Sequence, residues 1–258
     1  MEPRPRKLVV IPAYNEERYL PKVLDALRPL KKRGDYEVLV IDDGSQDKTA
    51  HIARHMGFKV ISHHDNLGKT QALKTGLEYA IEGGFKHMAV FDADWFNPSV
   101  KHVKKMFKPL EKRGKDGLPK TLRTIGRTDE AGWKRDDRNW LINYSGVMGF
   151  NVATLKPWLA GNEKWNDYMD DTRWPEHPLA VLMSDQKTQL VDGIVFEKAS
   201  PLRRAEEGYA RFHQDREAVL DQIHAMQVKE KRDAIARGQE MEKLSPTELE
   251  AAVNIRMA

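Results

Sequence analysis

Residues 88–94 read Met88-Ala89-Val90-Phe91-Asp92-Ala93-Asp94, four apolar side chains followed at once by two carboxylates around an alanine. A short unbroken apolar run marks a strand covered on both faces, and an abrupt switch to charge marks where the chain leaves the sheet. The same switch occurs three times upstream. Leu8-Val9-Val10-Ile11 gives way to Pro12-Ala13-Tyr14-Asn15-Glu16, Val38-Leu39-Val40-Ile41 to Asp42-Asp43-Gly44-Ser45, and Lys59-Val60-Ile61 to the polar run His63 to Lys69. Helical periodicity fills the intervals, over about 17–33, 46–56, 69–82 and 99–113, with Ser45 and Ser99 as expected caps. Strands alternating with helices over short loops predict an α/β fold with a mainly parallel, doubly wound sheet. Ligands of such sheets gather beyond the carboxyl ends of the strands, so the four polar segments are expected to share one rim.

Composition narrows the chemistry. The 258 residues carry 43 basic and 39 acidic side chains and no cysteine, which excludes disulfide scaffolds, thiolate metal sites and cysteine nucleophiles. The first residues, Met1 to Lys7, hold no apolar signal segment, and the longest uncharged run, Asn139 to Leu155, is broken by Asn, Ser and Gly. The expectation is a cytoplasmic chain with no transmembrane segment. Residues 101–138 hold 13 basic side chains against 6 acidic ones, a net of +7, so the rest of the chain nets −3. That stretch reads either as a solvated helix face with a basic loop or as a surface for an anionic acceptor.

Three regions are expected: a nucleotide-binding half over 1–114, an acceptor-binding half of the same domain over 115–200, and a helical C-terminal extension over 201–258. The second region opens with a Gly-, Lys- and Arg-rich loop and holds strand-like stretches at Leu122 to Gly126 and Gln189 to Phe196. Most of the tryptophans fall there or near it: Trp133, Trp140, Trp158, Trp165 and Trp174. The extension is highly charged, with few large apolar residues, and suits a peripheral helix or an arm for homo-oligomers.

Asp92 and Asp94, around Ala93, are expected on the same side of an alternating backbone where the strand runs out, presenting hard oxygen ligands suited to Mg²⁺ or Mn²⁺; such a cation neutralises charge on a departing diphosphate. Taken alone, two acidic residues in a loop are commonplace. Asp42 and Asp43 offer carboxylates to a ribose hydroxyl or a base N–H, and Ser45 suits a helix cap. Tyr14, within Pro12 to Glu16, offers an aromatic face to a nucleobase. Gly68-Lys69-Thr70 is not a P-loop, because that motif needs a glycine where this chain has His63; Lys69 can still meet a phosphate as a point charge. No Gly-x-Gly-x-x-Gly follows the first strand, which disfavours a dinucleotide-dependent dehydrogenase.

The ordered series Ile11 to Glu16, Val40 to Thr49, Asn66 to Lys69 and Phe91 to Asp94 resembles glycosyltransferase family two. The resemblance implies the A-type glycosyltransferase fold with its Rossmann-like nucleotide-binding half, a nucleotide-diphosphate-sugar donor (a UDP- or GDP-sugar), a divalent metal and inversion at the anomeric carbon. By position, Pro12, Ala13, Tyr14, Glu16 and Asp42 would line the base and ribose, with Asp43 and Ala93 beside them. Lys69 would meet the donor phosphates, and Asp92 and Asp94 the metal. Ser145 to Phe150 looks like the family's small-residue loop at the sugar and acceptor site. Asp170-Asp171-Thr172 stands where many members carry the catalytic base, so Asp171, with Asp170 as substitute, takes that role; a helix cap is the competing reading. His213 is a candidate third metal ligand, against a surface histidine on a charged helix. Phe96 departs from the polar residue often found there in polyprenyl-phosphate sugar synthases, and their membrane helices are not seen.

Two other classes stay open. A non-catalytic nucleotide-sugar or nucleic-acid binding module would use the basic 101–138 stretch to hold a partner. A nucleotidyltransferase would share the sheet and metal logic, but would normally carry a Gly- and Arg-rich loop after its first strand, unlike Tyr14-Asn15-Glu16. The acceptor, whether a saccharide, a phosphorylated molecule or lipid, or a modified nucleic acid, is not specified by these residues.

Overall fold

The computed structural model describes residues 7–95, 98–126, 147–159 and 188–191. Within them the chain runs β1 (Lys7–Ala13), α1 (Leu20–Lys31), β2 (Tyr36–Asp42), α2 (Thr49–His55), β3 (Lys59–Ser62), α3 (Lys69–Glu82), β4 (His87–Phe91) and α4 (Val100–Leu110). It continues with β5 (Arg123–Gly126), β6 (Val147–Asn151), a 3₁₀ turn (Val152–Thr154), α5 (Lys156–Leu159) and β7 (Thr188–Val191). The strands form one sheet in the order β3-β2-β1-β4-β6-β5-β7. The first four pair in parallel, β6 runs antiparallel to both β4 and β5, and β7 pairs in parallel with β5. The expected mainly parallel α/β sheet is therefore present.

Alternating side chains supply both cores. Val9, Ile11, Val38, Val40, Ala89 and Phe91 face α1 and α4, against Leu20, Leu24, Leu27, Met106 and Phe107. Leu8, Val10, Leu39, Ile41, Met88 and Val90 face the other way, onto Leu73, Leu77 and Ala80 of α3. Strands covered on both faces have no polar alternation to display, which is why their sequences read as continuous apolar runs. Each buried Leu or Phe is worth about 1.5–3 kcal/mol over its exposed state. Because β1 to β4 share one direction and are held in register, Ala13 opposite Asp42 and Asp42 opposite Ser62, their exits lie along one edge.

Three local expectations give way. Ser45 does not cap α2, which starts four residues later at Thr49 with Lys48 at the cap position. Asp47 accounts for the delay: its carboxylate accepts the Thr49 backbone N–H at 2.9 Å and the Thr49 hydroxyl, holding the chain in a turn that competes with helix. Ser99, by contrast, caps α4 as expected, accepting from His102 N at 3.2 Å. Next, Val147 to Phe150 is a buried strand, not a loop: Gly149 lies opposite Ala89, and a side chain there would enter Thr124 Oγ1. Its first residue, Val147, pairs with Phe91, so β6 begins at the rim where β4 ends. Finally, the chain leaves the extended state at Asp92, whose carbonyl accepts Trp95 N–H at 3.4 Å; a turn, not strand alternation, presents the two carboxylates.

Residues 127–146, with Trp133, Trp140 and Ser145, lie outside the described residues, as does the span 160–187 with Trp165, Asp170, Asp171 and Trp174. Phe96, the tail from 201 and His213 lie outside them too. Among the described residues, no helix is long and apolar enough to cross a membrane.

Candidate functional site

The exits of β1 to β4 are tied together by side chains accepting backbone hydrogens. Asn15 holds a positive φ of 53°, which turns its side chain back across the rim: its N–H donates to Ser45 Oγ at 3.0 Å, and its Oδ1 accepts from Gln46 N at 2.9 Å. Asn is one of the few residues that tolerates this conformation cheaply. Glu16 N donates to Thr49 Oγ1 at 2.7 Å and Glu17 N to Asp47 Oδ2 at 3.0 Å, while Glu17 Oε2 accepts from Lys48 N. The segments after β1 and β2 are thus one interlocked layer. Burial pushes the Asp47 carboxyl up, but its hydrogen bonds from Thr49 and from the Glu17 backbone outweigh this and leave it below the ordinary carboxylate value.

Asp43 does the same for the next pair of exits. Its Oδ1 lies 2.7 Å from His63 Nδ1 and accepts from Leu67 N at 3.0 Å; its Oδ2 accepts from Gly68 N at 2.8 Å. The other ring nitrogen of His63 sits 2.9 Å from Thr75 Oγ1 on α3. Asp43 is 4% exposed, and its carboxylate faces the 63–68 loop, so its described contacts make it a brace for the segment that delivers Lys69. Gly44 beside it has φ +72°, and a Cβ there would come within 2.6 Å of Asn66 N; only glycine lets the two loops pack this closely.

That brace fixes the first residue of α3. Lys69 Nζ donates to Asp92 Oδ1 at 2.8 Å, joining the start of α3 to the end of β4. Both side chains are mostly covered, 21% and 15% exposed, so the ammonium and the carboxylate each offset the desolvation of the other. Asp94 lies two residues on, partly exposed. Trp95, 1% exposed, anchors the turn from beneath: its ring stacks on Phe91 at 5.0 Å and on His102 at 5.4 Å.

Of the residues singled out by sequence, Pro12, Ala13, Tyr14, Glu16, Asp42, Asp43, Lys69, Asp92, Ala93 and Asp94 all lie on or just inside this rim. Tyr14 is 37% exposed, its ring available at the surface, whereas Asp42 is 4% exposed and accepts Ser45 N at 3.3 Å. The sequence places Asn15 and His63 in the rim segments without an individual role, and leaves Thr75 and Trp95 unmarked. Two carried a signal: His63 is the first residue after β3, and Trp95 follows Phe91 at the spacing of a closed turn. Among the described residues no three His, Asp or Glu side chains gather to hold a metal. The Asp92 and Asp94 donor set nonetheless fits a hard divalent cation, since Mg²⁺ and Mn²⁺ are commonly held by one or two carboxylates and completed by water and phosphate oxygens.

The model of "Glycosyl transferase family 2" matches residues 8–162. The chain is 41% identical over 108 residues to an uncharacterized protein of Methanocaldococcus jannaschii, covering 42% of this chain and 43% of that one. It is 36% identical over 117 residues to human dolichyl-phosphate beta-glucosyltransferase, covering 40% and 36%. The chain thus spans less than half the length of these two relatives. In fold it is similar to a mannosyltransferase of Pyrobaculum calidifontis solved with GDP-Man and Mn²⁺, with a TM-score of 0.67 at 22% identity, over 88% of this chain and 65% of that one.

Proposed function

The chain belongs to glycosyl transferase family 2, and on that premise we propose that it moves a sugar from a nucleotide-diphosphate sugar to an acceptor with inversion, using Mn²⁺ or Mg²⁺. The observation that carries this reading is Lys69 on Asp92 at 2.8 Å, beside Asp94, on the rim where four strands end. Asp92 and Asp94 would hold the cation, and the cation would supply positive charge to the departing diphosphate. Lys69 adds a second, fixed positive charge at the same place. A ligand phosphate arriving there competes with Asp92 for that ammonium, so donor and cation entering together exchange one ion pair for others rather than stranding a charge.

Tyr14 and Asp42 are the proposed contacts for base and ribose, with Pro12, Ala13 and Glu16 shaping the wall. Asp43 acts through the loop: by fixing Leu67 and Gly68 it sets where Lys69 begins α3. A direct inverting displacement needs a base within hydrogen-bond reach of the acceptor hydroxyl. Asp171, with Asp170 as its substitute, is proposed for it from the sequence, and His213 as a third metal ligand. The mannosyltransferase neighbour's GDP-Man and Mn²⁺ and the curated relative's glucosyl transfer support the donor class.

The test is a donor screen following hydrolysis of UDP-, GDP- and TDP-sugars with Mn²⁺, with Mg²⁺ and with chelator. Turnover with one donor that chelation abolishes supports the reading. Turnover that persists in chelator, or an Asp94→Ala variant that folds and turns over fully, removes it.

A further inference from the structure

The outward face of α4 and the tight turn after it form a basic strip that the donor site does not use. Residues 101–120 hold eight basic side chains and two acidic ones. Val103, Met106, Phe107 and Leu110 turn into the core, and helical spacing places Lys101, Lys104 and Lys108 on the opposite, exposed side. Lys112 continues the row, and exposed Arg113, Lys115 and Lys120 surround the turn. Of the two acidic groups, Glu111 is paired with Lys7 at 2.6 Å, whereas Asp116, whose Oδ1 accepts Leu118 N at 3.0 Å, keeps its charge and offsets one of the eight basic side chains.

On the closing limb of the turn, paired with Gly114, sits Leu118, 59% exposed. Its position is built. Lys120 N donates to Lys112 O at 2.9 Å, Gly114 N to Leu118 O at 2.8 Å, and Arg113 bridges Pro119 across the base. Among the described residues the other large exposed apolar side chains, Tyr14 and Leu67, lie at the rim; Leu118 lies far from it along the chain, at the end of α4 that meets the start of β1 through Lys7.

We propose that this strip docks the protein on an anionic phospholipid surface, with the lysine row against the headgroups and Leu118 inserted at the boundary with the acyl chains. Three features select a lipid surface over a nucleic acid. An exposed apolar side chain on a lysine-rich turn gains from an acyl boundary and gains nothing from a phosphodiester backbone. The row is lysine throughout except Arg113, so it supplies point charges and few of the planar forks that read bases. No exposed aromatic side chain stands within 101–120 to stack a base. The helix spans about 16 Å, so the strip runs from the rim side of the sheet to its other end. Docking along it leaves the rim open beside the lipid surface.

The experiment is co-sedimentation of the full chain with phosphatidylcholine vesicles, with and without phosphatidylglycerol, over rising salt. Binding only to the anionic vesicles, weakening as salt rises, is expected. Each lysine removed in Lys104→Gln, Lys108→Gln and Lys112→Gln should weaken partition roughly five-fold, and Leu118→Ser should weaken it several-fold with every charge in place. Thermal melts establish that the variants fold. Equal binding to neutral vesicles, no binding to either, or a Leu118→Ser variant that binds as well as the parent overturns the proposal. So does tighter binding to a short RNA duplex than to anionic vesicles. None of these results bears on donor turnover, which the same variants should retain.

Discussion

Asp43 and His63 are joined at 2.7 Å across the exits of β2 and β3, and the same carboxylate takes two backbone hydrogens from the loop that ends at Lys69. A side chain 4% exposed thereby sets the position of an ammonium 26 residues away in sequence. Replacing it acts on the site at a distance. Asp43→Ala would take an acceptor from two part-buried N–H groups and a partner from an imidazole; Gly68 N keeps Asn66 Oδ1 at 3.1 Å, and each buried group that finds no other partner costs about 1–3 kcal/mol. A denaturant melt should show the loss, and in donor turnover KM should rise more than kcat falls. Unchanged stability would mean that water or a neighbour replaces the brace.

Gly44→Ala probes the same packing from the backbone. The added Cβ meets Asp65 and Asn66 main-chain atoms at a residue with φ +72°. The expected cost is about 2 kcal/mol or more, with weakened nucleotide binding. A variant as stable as the parent would contradict the close approach of the two loops.

Trp95→Ala removes a ring 1% exposed that stacks on Phe91 and His102 beneath the Asp92 turn. A cavity of that size costs about 3–5 kcal/mol. Trp95→Phe should recover part of the stability, and metal-dependent turnover should follow the same order: parent, Phe, Ala. Turnover in the Ala variant equal to that of the parent would separate the ring from the turn.

Acid should weaken the fold in two steps. His87 is 6% exposed, and burial chiefly, with the charges of Lys7 and Arg113, holds its imidazole below the ordinary 6.5 despite Glu111. The unfolded chain therefore takes up that proton first. The contribution of His87 is constant above pH 6.5 and falls as pH drops below it, by at most about 1.4 kcal/mol per pH unit. Asp47, held below its ordinary 3.8, contributes stability above that value and loses it as pH falls through its folded value. Urea melts across pH read both, and His87→Gln should flatten the first step alone.

Much of this architecture was legible in residue order. Strand runs such as Met88 to Phe91 are long enough in apolar side chains to declare burial on both faces, and their polar sequels locate the rim. What could not be read is what depends on who meets whom in space. The Asp43, His63 and Thr75 chain crosses three elements, and no sequence spacing encodes it. Ser45 looked like a helix cap, yet local competition from Asp47 moved the helix start to Thr49 and left Ser45 to bind Asn15. The reversal of β6 between β4 and β5 was hidden because a short apolar run carries no sign of direction.

The central claim is that Asp92 and Asp94 hold a divalent cation beneath a nucleoside diphosphate. Calorimetric titration of UDP and GDP into the parent and a folded Asp94→Ala variant, with Mn²⁺ and with chelator, tests it most directly. One nucleotide should bind the parent at least roughly ten-fold more tightly with Mn²⁺, a difference of about 1.4 kcal/mol, and the variant should lose that gain. Equal affinity with and without the metal, or a gain that survives in Asp94→Ala, would contradict it.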